Sequence, residues 1–522
     1  NVELINVSGS GTDDTFVVDD ANDNIFDGLG GNDTISYAPL ATPITVTIVG
    51  NQASISATSG IGTDTLYNIE NIETGTGADY FDISGSVNYG LYSNSGADIF
   101  DFSAGVNGTL DLGTIGTGSH LDFQDYGEGI TIDLTSTADQ TIGTGLVLNL
   151  SGTFTSISGT AFADNITGTA LADIIYGGAG ADTIYGGEGD DAIDGGAGID
   201  FINETSNTTG LVVTLSDVLG AGSIVDGGET DTIDNIENID TGSGLDTFFV
   251  SDAGNNIINA GGDDDVATVT GGSGVITITR TGDDVDVSGT GIGVDEYNSV
   301  FELNVTGSAT DDTFIIDDAN DNTLDGGAGN DTISYAPLSS DITVTIVGPQ
   351  ATISTTGIGN DVLLNIENIE TGSGDDYFDI TGTVDYVLNS TSGADIFDFN
   401  NSVDGSLALI TSDSAELDFS DYDQGLTIDL SSVVSQTVGT GLEISLSGTF
   451  TTISGTDFAD SIIGTSGADT IFGGDGDDTI DGGAGDDTID GGDGTDGIDD
   501  SSNVNNLIVV LSNTPGVGYI QD

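Results

Sequence analysis

The sequence predicts an all-β chain wound as a parallel β-roll or β-solenoid, with further β-rich segments interspersed. Three observations predict it. A nine-residue pattern, Gly-Gly-x-Gly-x-Asp-x-apolar-x, recurs without gaps at 177–203 (GGAGADTIY, GGEGDDAID, GGAGIDFIN) and at 473–499 (GGDGDDTID, GGAGDDTID, GGDGTDGID). Period-two stretches rich in β-branched residues lie between such blocks, among them ITVTIVG at 44–50, ITIDL at 130–134, LVLNLSGTFTSIS at 146–158 and LEISLSGTFTTIS at 442–454. No segment sustains a 3.6-residue period, and the helix formers Lys, Arg and Met are absent or nearly so.

Each position of the nonapeptide has a physical role. The glycines let the backbone take φ > 0 and turn tightly, which presents carbonyl oxygens inside the turn. The sixth-position Asp adds a carboxylate, and hard oxygen ligands of both kinds suit Ca²⁺. The eighth position, Ile184, Ile193 and Ile202 in one block and Ile480, Ile489 and Ile498 in the other, falls in a short strand and is expected to point inward. A disordered Gly/Asp linker has no reason to keep an isoleucine every nine residues. Such a tract is the signature of a calcium-binding parallel β-helix.

The tract resembles the repeats-in-toxin (RTX) family of calcium-binding nonapeptide repeats, as found in large tandem-repeat bacterial surface proteins. The resemblance implies coils of about eighteen residues, with Ca²⁺ held between turns one coil apart by both sixth-position Asp residues and by backbone carbonyls. On this chain it pairs Asp182 with Asp200, Asp173 with Asp191, Asp478 with Asp496, and Asp469 with Asp487. The first-position Gly177, Gly186, Gly195, Gly473, Gly482 and Gly491 would supply carbonyls. Degenerate copies at 159–176 and 455–472 add Asp164 and Asp460, and isolated copies add Asp33, Asp331, Asp79, Asp376 and Asp265. The phrase NIEN at 68–71, 235–238 and 365–368 also resembles longer RTX surface proteins, where it joins a strand pair to the next calcium turn.

Composition narrows the partners. The formal net charge is −87, with no Lys, Arg280 as the single Arg and His120 as the single His. Nucleic acid and anionic membrane surfaces both require Lys or Arg, so neither is a partner. No apolar run reaches membrane-spanning length, so membrane insertion is not expected. Two carboxylates about 4 Å apart repel by roughly 1–4 kcal/mol at dielectrics between those of water and a protein surface. Stacked turns would repeat that repulsion throughout both blocks, so calcium binding and folding are expected to be one event. There is no Cys, hence no disulfide staple. The chain opens on Asn1, contains no Met and shows no leader, which reads as a processed product or a piece of something longer.

A second, longer repeat divides the chain into 1–298, with its strong block at 159–203, and 299–522, incomplete, with its strong block at 455–499. TDDTF at 12–16 returns at 310–314, NDTISYAPL at 32–40 returns at 330–338, and ADIFDF at 97–102 returns at 394–399. The second copy stops about three quarters through the unit, so the array is expected to continue. Segments 83–158 and 380–454 carry few turns and are expected to form side sheets or a β-sandwich module.

The chemistry-bearing residues are sparse. His120 is replaced by Glu416 in the second copy, which reads as a solvent-facing polar residue rather than a catalytic base. Without Cys or Lys, and with one His, a thiol nucleophile and a zinc-protease helix are both closed. Arg280 is expected to pair with neighbouring Asp residues. Tyr80, Phe81 and Phe100, with Tyr377, Phe378 and Phe397, occupy strand positions that argue for packing rather than sugar stacking. The expected protein is therefore not an enzyme. It is a secreted, extracellular structural protein that self-associates into a cell-surface layer (S-layer), a filament or the stalk of an adhesin. The RTX resemblance implies secretion from a Gram-negative bacterium. A noncatalytic calcium module of a secreted enzyme and a ligand-binding adhesin are the alternative readings.

Overall fold

A computed structural model describes residues 4–57, 62–116, 118–281, 284–317, 321–354 and 359–499, with the strands Ile508–Val510 and Tyr519–Gln521. The side chain of Arg280, and with it the expected pairing to Asp, lies outside the described residues. Every regular element described is a strand. Residues 1–249 with 256–263 form one compact unit, and 250–255 with 264–522 form a second. The sequence repeat, counted 1–298, and the compact units are cut at different places along the chain.

The nonapeptide spacing converts directly into strand register. In the first unit Asn165–Thr167, Thr183–Tyr185 and Phe201–Asn203 stack in parallel, placing Ile166 against Ile184 and Ile184 against Ile202. A second stack, Phe154–Ser158, Ile174–Gly180 and Ala192–Gly198, aligns Ile157, Ile175 and Ile193. Each step is two nonads, so one isoleucine per nonad lands above its counterpart and the turns between strands stack as well. The second unit repeats this with Ile428, Ile462, Ile480 and Ile498 in one ladder and Ile453, Ile471 and Ile489 in another. All these isoleucines are buried except Ile498, which is 42% exposed. It has a strand neighbour on one side alone among the described residues.

Among the described residues four three-stranded antiparallel excursions interrupt the regular coils; one, of Ser273–Thr281, Asp284–Thr290 and Gly293–Asn298, precedes strand Val300–Thr306. Strands Ile44–Val49, Gln52–Ala57 and Thr63–Tyr67 form an antiparallel meander, so the register step lengthens to Ile35↔Ile72 and Phe26↔Leu66. Leu211–Leu215, Gly222–Asp226 and Glu229–Asp234 do the same between Ile202 and Ile239. In the second unit Thr343–Val347, Gln350–Ser354 and Asn360–Leu364 separate Ile333 from Ile369. The other three meanders return to the parallel ladder through an NIEN segment, whereas the one ending at Asn298 returns through Ser299.

Segments 83–158 and 380–454 depart from the expectation of a side module. They continue the parallel ladder with wider coils. Ser86–Ser93 pairs with Asn107–Thr114, which pairs with Leu146–Ser151, and Thr383–Ser390, Asp404–Asp418 and Leu442–Ser454 follow the same order. Larger side chains fill the wider cross-section. Phe81 stacks on Phe100 with ring centroids 4.5 Å apart, and Phe102 on Phe123 at 4.3 Å. These separations are close to the ~4.7–4.9 Å spacing of neighbouring strands, so one aromatic per coil fits the stack. Phe378 and Phe397 repeat the arrangement at 4.5 Å. Tyr80 and Tyr377 sit half-buried, with their hydroxyls donating to Asp101 and Asp398.

His120 differs from the solvent-facing expectation. It is half-buried, with Nδ1 2.7 Å from Ser156 Oγ and Nε2 3.1 Å from Ser158 Oγ. Burial lowers its pKa.

Candidate metal centres

The sixth-position aspartates form ladders along the stacked turns. Asp182 N–H donates to Oδ1 of Asp200, and Asp164 N–H to Oδ1 of Asp182, each at 2.8 Å. Asp173 donates likewise to Asp191 at 2.8 Å. In the second unit Asp460 donates to Asp478 at 2.9 Å, Asp469 to Asp487 at 3.0 Å and Asp478 to Asp496 at 3.2 Å. All four pairs expected to share an ion are thus brought into contact one coil apart. The isolated copies behave alike: Asp33 accepts from Asp14 and Asp331 from Asp312, both at 2.7 Å. Asp79 accepts from Ile44 at 2.8 Å and Asp376 from Ile342 at 2.9 Å. Asp265 is buried at the head of strand Asp265–Thr270, whose partner is Val300–Thr306.

These contacts use one carboxylate oxygen and leave the other. Oδ2 of Asp33, Asp79, Asp182, Asp191, Asp200, Asp331 and Asp478 is buried with no hydrogen-bond partner. A buried acceptor left unsatisfied costs about 1–3 kcal/mol, and more when charged. Burial pushes the pKa of Asp182 and Asp200 up to about 6 and that of Asp191 up to about 7. The backbone N–H each accepts works against that rise, and neighbouring carboxylates add to it.

The first-position glycine makes room beside the orphaned oxygen. A β-carbon on Gly177 would stand 2.5 Å from the Gly195 carbonyl oxygen and 2.6 Å from Oδ2 of Asp182. On Gly473 it would stand 2.5 Å from both the Gly491 carbonyl oxygen and Oδ2 of Asp478. Gly177, Gly186, Gly473 and Gly482 likewise aim their carbonyls at the first-position glycine one coil earlier. The motif's glycines therefore divide their work. The second and fourth, such as Gly178 (φ 111°) and Gly180 (φ 133°), hold the left-handed turn, whereas the first is needed for space. The sequence pattern alone predicts φ > 0 for all of them; the first-position Gly177 departs from that.

The expectation of one uniform kind of site divides in two. Where the second position is Thr instead of Gly, the Asp is satisfied within the chain. Thr160 N–H donates to Oδ2 of Asp164 and its hydroxyl to Oδ1 at 2.9 Å; Thr456 treats Asp460 the same way, with the hydroxyl at 3.0 Å. Thr169 and Thr465 serve Asp173 and Asp469 likewise. Orphaned oxygens belong to the copies that lack this hydroxyl. Sequence reasoning passed over Asp98, Asp395 and Asp231, which accept the backbone N–H groups of Asp79, Asp376 and Asp191. For the first two a signal existed, since Gly-Ala-Asp-x-Phe at 77–81 recurs at 96–100. It also passed over Glu70, Glu237 and Glu367 of the NIEN segments.

Four matches to the RTX calcium-binding nonapeptide repeat cover 167–202, 306–336, 454–489 and 463–498. The chain carries RTX repeats. They bind Ca²⁺ at multiple sites. No curated protein matches the chain. The donor set fits the ion: carboxylate and carbonyl oxygens, a buried oxygen without a partner, and a glycine where a β-carbon would intrude. Among the described residues no three acidic or imidazole side chains converge on one point. An ion held here would meet the acids in pairs and the remaining oxygens from the backbone. Among the described residues no helix is long and apolar enough to cross a membrane.

Proposed function

We propose that this chain is a secreted structural protein whose RTX coils set only when calcium is present. It would serve as part of a cell-surface layer, an extracellular filament or an adhesin stalk. The observation that carries this reading is the distribution of the orphaned carboxylates. They occur in both compact units, from Asp33 to Asp478, spread along the stacked coils instead of gathered at one centre. A calcium requirement spread over the whole chain suits a material that must be soluble and unfolded before export and rigid afterwards. Cytosolic calcium is too low for weak extracellular-type sites, whose Kd is of order 10⁻⁴–10⁻³ M. Outside, the ions neutralise the acids that the chain, lacking Lys, cannot neutralise itself.

On this reading the protein is not an enzyme. Asp182 and Asp200, with the Gly195 carbonyl, hold an ion; so do Asp478 and Asp496 with the Gly491 carbonyl. The bound ion cross-links successive coils, and the acids do no bond-making chemistry. Release by a Gram-negative bacterium and sideways association of the folded chains complete the proposal.

The test is calcium titration followed by circular dichroism, with electron microscopy of the protein before and after chelation. Gain of β signal and of ordered assemblies on adding calcium is the expected result. Full β signal in excess chelator would refute coupled folding. Folded but strictly dispersed chains in millimolar calcium would remove the assembly role.

A further inference from the structure

The three NIEN segments lie where a regular RTX turn is missing. After Asp33, Asp200 and Asp331 the chain leaves on a meander, so no Gly-Gly-x-Gly-x-Asp turn follows one coil later. The next turn to stack on each of these aspartates is NIEN instead. Its backbone is clamped identically each time: Asn71, Asn238 and Asn368 donate their N–H groups to the carbonyls of Asp33, Asp200 and Asp331 at 2.9, 3.0 and 2.9 Å.

NIEN reproduces both donors of the turn it replaces. Glu70 Oε2 accepts the N–H of Asp33, Glu237 Oε2 that of Asp200, and Glu367 Oε2 that of Asp331, each at 2.8 Å. This is the bond that Asp200 Oδ1 makes to Asp182. Asn68, Asn235 and Asn365 take left-handed conformations, φ 49°, 53° and 50°. Their carbonyls then point at Gly28, Gly195 and Gly326, where a β-carbon would collide with the Asn oxygen and with Oδ2 of Asp33, Asp200 or Asp331. The Gly195 carbonyl stands in that relation to Gly177. A longer acid is required because in NIEN the carboxylate comes two positions after the carbonyl ligand, against five in the nonapeptide.

An independent observation points to a ligand. Asp33, Asp200 and Asp331 have no solvent exposure, and Oδ2 of each has no hydrogen-bond partner. The Asn side chains do not fill the gap. Asn68, Asn235 and Asn365 spend their amides on Asp27, Asp194 and Asp325 at 2.7, 2.6 and 2.7 Å. With no Lys and a single Arg in the chain, a cation must come from solvent.

We propose that each NIEN segment completes a calcium site of mixed construction, Asp33–Glu70, Asp200–Glu237 and Asp331–Glu367, with the carbonyls of Asn68, Asn235 and Asn365 as further ligands. The glutamates and the Asn carbonyls lie outside the matched repeats. The ion would lock each of these three meanders onto the coil it left, so the parallel ladder resumes in register. The inference rests on calcium binding by the repeats and is independent of the assembly role.

The experiment counts bound calcium per chain by equilibrium dialysis at saturating calcium, for the full chain and for Glu70→Gln, Glu237→Gln and Glu367→Gln. Glutamine keeps an acceptor for the Asp N–H and removes the charge. Each variant should bind one ion fewer, and the triple variant three fewer. Glu443→Gln, an exposed strand residue losing the same charge, should bind the full number. Unchanged stoichiometry in the triple variant would overturn the proposal. Wild-type protein that binds no calcium would instead overturn the repeats' own binding. A crystal structure of calcium-loaded wild type needs no variant: ions between Asp182 and Asp200 but none at Glu237 would also overturn it.

Discussion

Asp200 holds the backbone N–H of Asp182 on one carboxylate oxygen, at 2.8 Å, and buries the other with nothing to accept from. The first oxygen builds the coil and the second is left free for the cation proposed above. On the proposed reading one side chain couples register to metal, and its two halves can be separated experimentally.

Asp200→Asn should act with opposite sign in the two states. The amide keeps an acceptor for Asp182 and removes a buried charge, so in chelator the variant should be more stable, by about 1–3 kcal/mol. In calcium it should be less stable than wild type, because the site loses a carboxylate. Thermal melts with and without calcium check both signs, and the same sign in both would disprove the coupling.

The apo chain should gain structure on acidification. Folding raises Asp182, Asp200, Asp231 and Asp376 to about 6 and Asp191 to about 7. A raised pKa means the folded state binds more protons than the unfolded state. Stability from these groups is therefore present below about pH 4 and lost as pH climbs through 6–7. Circular dichroism in chelator should show β structure increasing from pH 7.5 to pH 5, with protons standing in for calcium. Loss of structure over that interval would contradict the assignment.

Gly177→Ala and Gly178→Ala should be distinguishable. The first intrudes on Oδ2 of Asp182 and the Gly195 carbonyl, so calcium affinity should fall by tenfold or more. The second also forces Ala to φ 111° and should destabilise by about 1–3 kcal/mol with or without calcium. Isothermal titration beside denaturant melts separates the two. Equal effects of both variants on affinity would refute the separate roles of the two glycines.

Coils with Thr in the second position should outlast those with Gly when calcium is withdrawn. Thr160 satisfies both oxygens of Asp164, whereas Oδ2 of Asp182, Asp191 and Asp200 has no partner within the chain. Hydrogen exchange after chelation should lose protection first in 183–203 and later in 131–167. Simultaneous loss would show that the chain unfolds as one unit.

Much of this molecule was legible because a solenoid makes spacing into structure. An isoleucine every nine residues is two residues per coil, so Ile166, Ile184 and Ile202 had to stack once the turns were granted. The wide coils were not legible. No Gly-Gly turn marks 83–158, and the cue that the ladder continues is the spacing of Phe81 and Phe100. Nor was the division among aspartates, since Asp164 and Asp182 have the same motif position and differ by what Thr160 donates.

By itself the sequence determined the all-β class, the period, the calcium chemistry and the near-absence of internal cations, because these follow from residue type and local spacing. Only the tertiary structure decided which carboxylate oxygens are left without a donor and that Glu237 stacks on Asp200. Those facts depend on residues up to forty positions apart meeting across a coil. Their meeting is set by how far each meander carries the chain before returning it to the ladder.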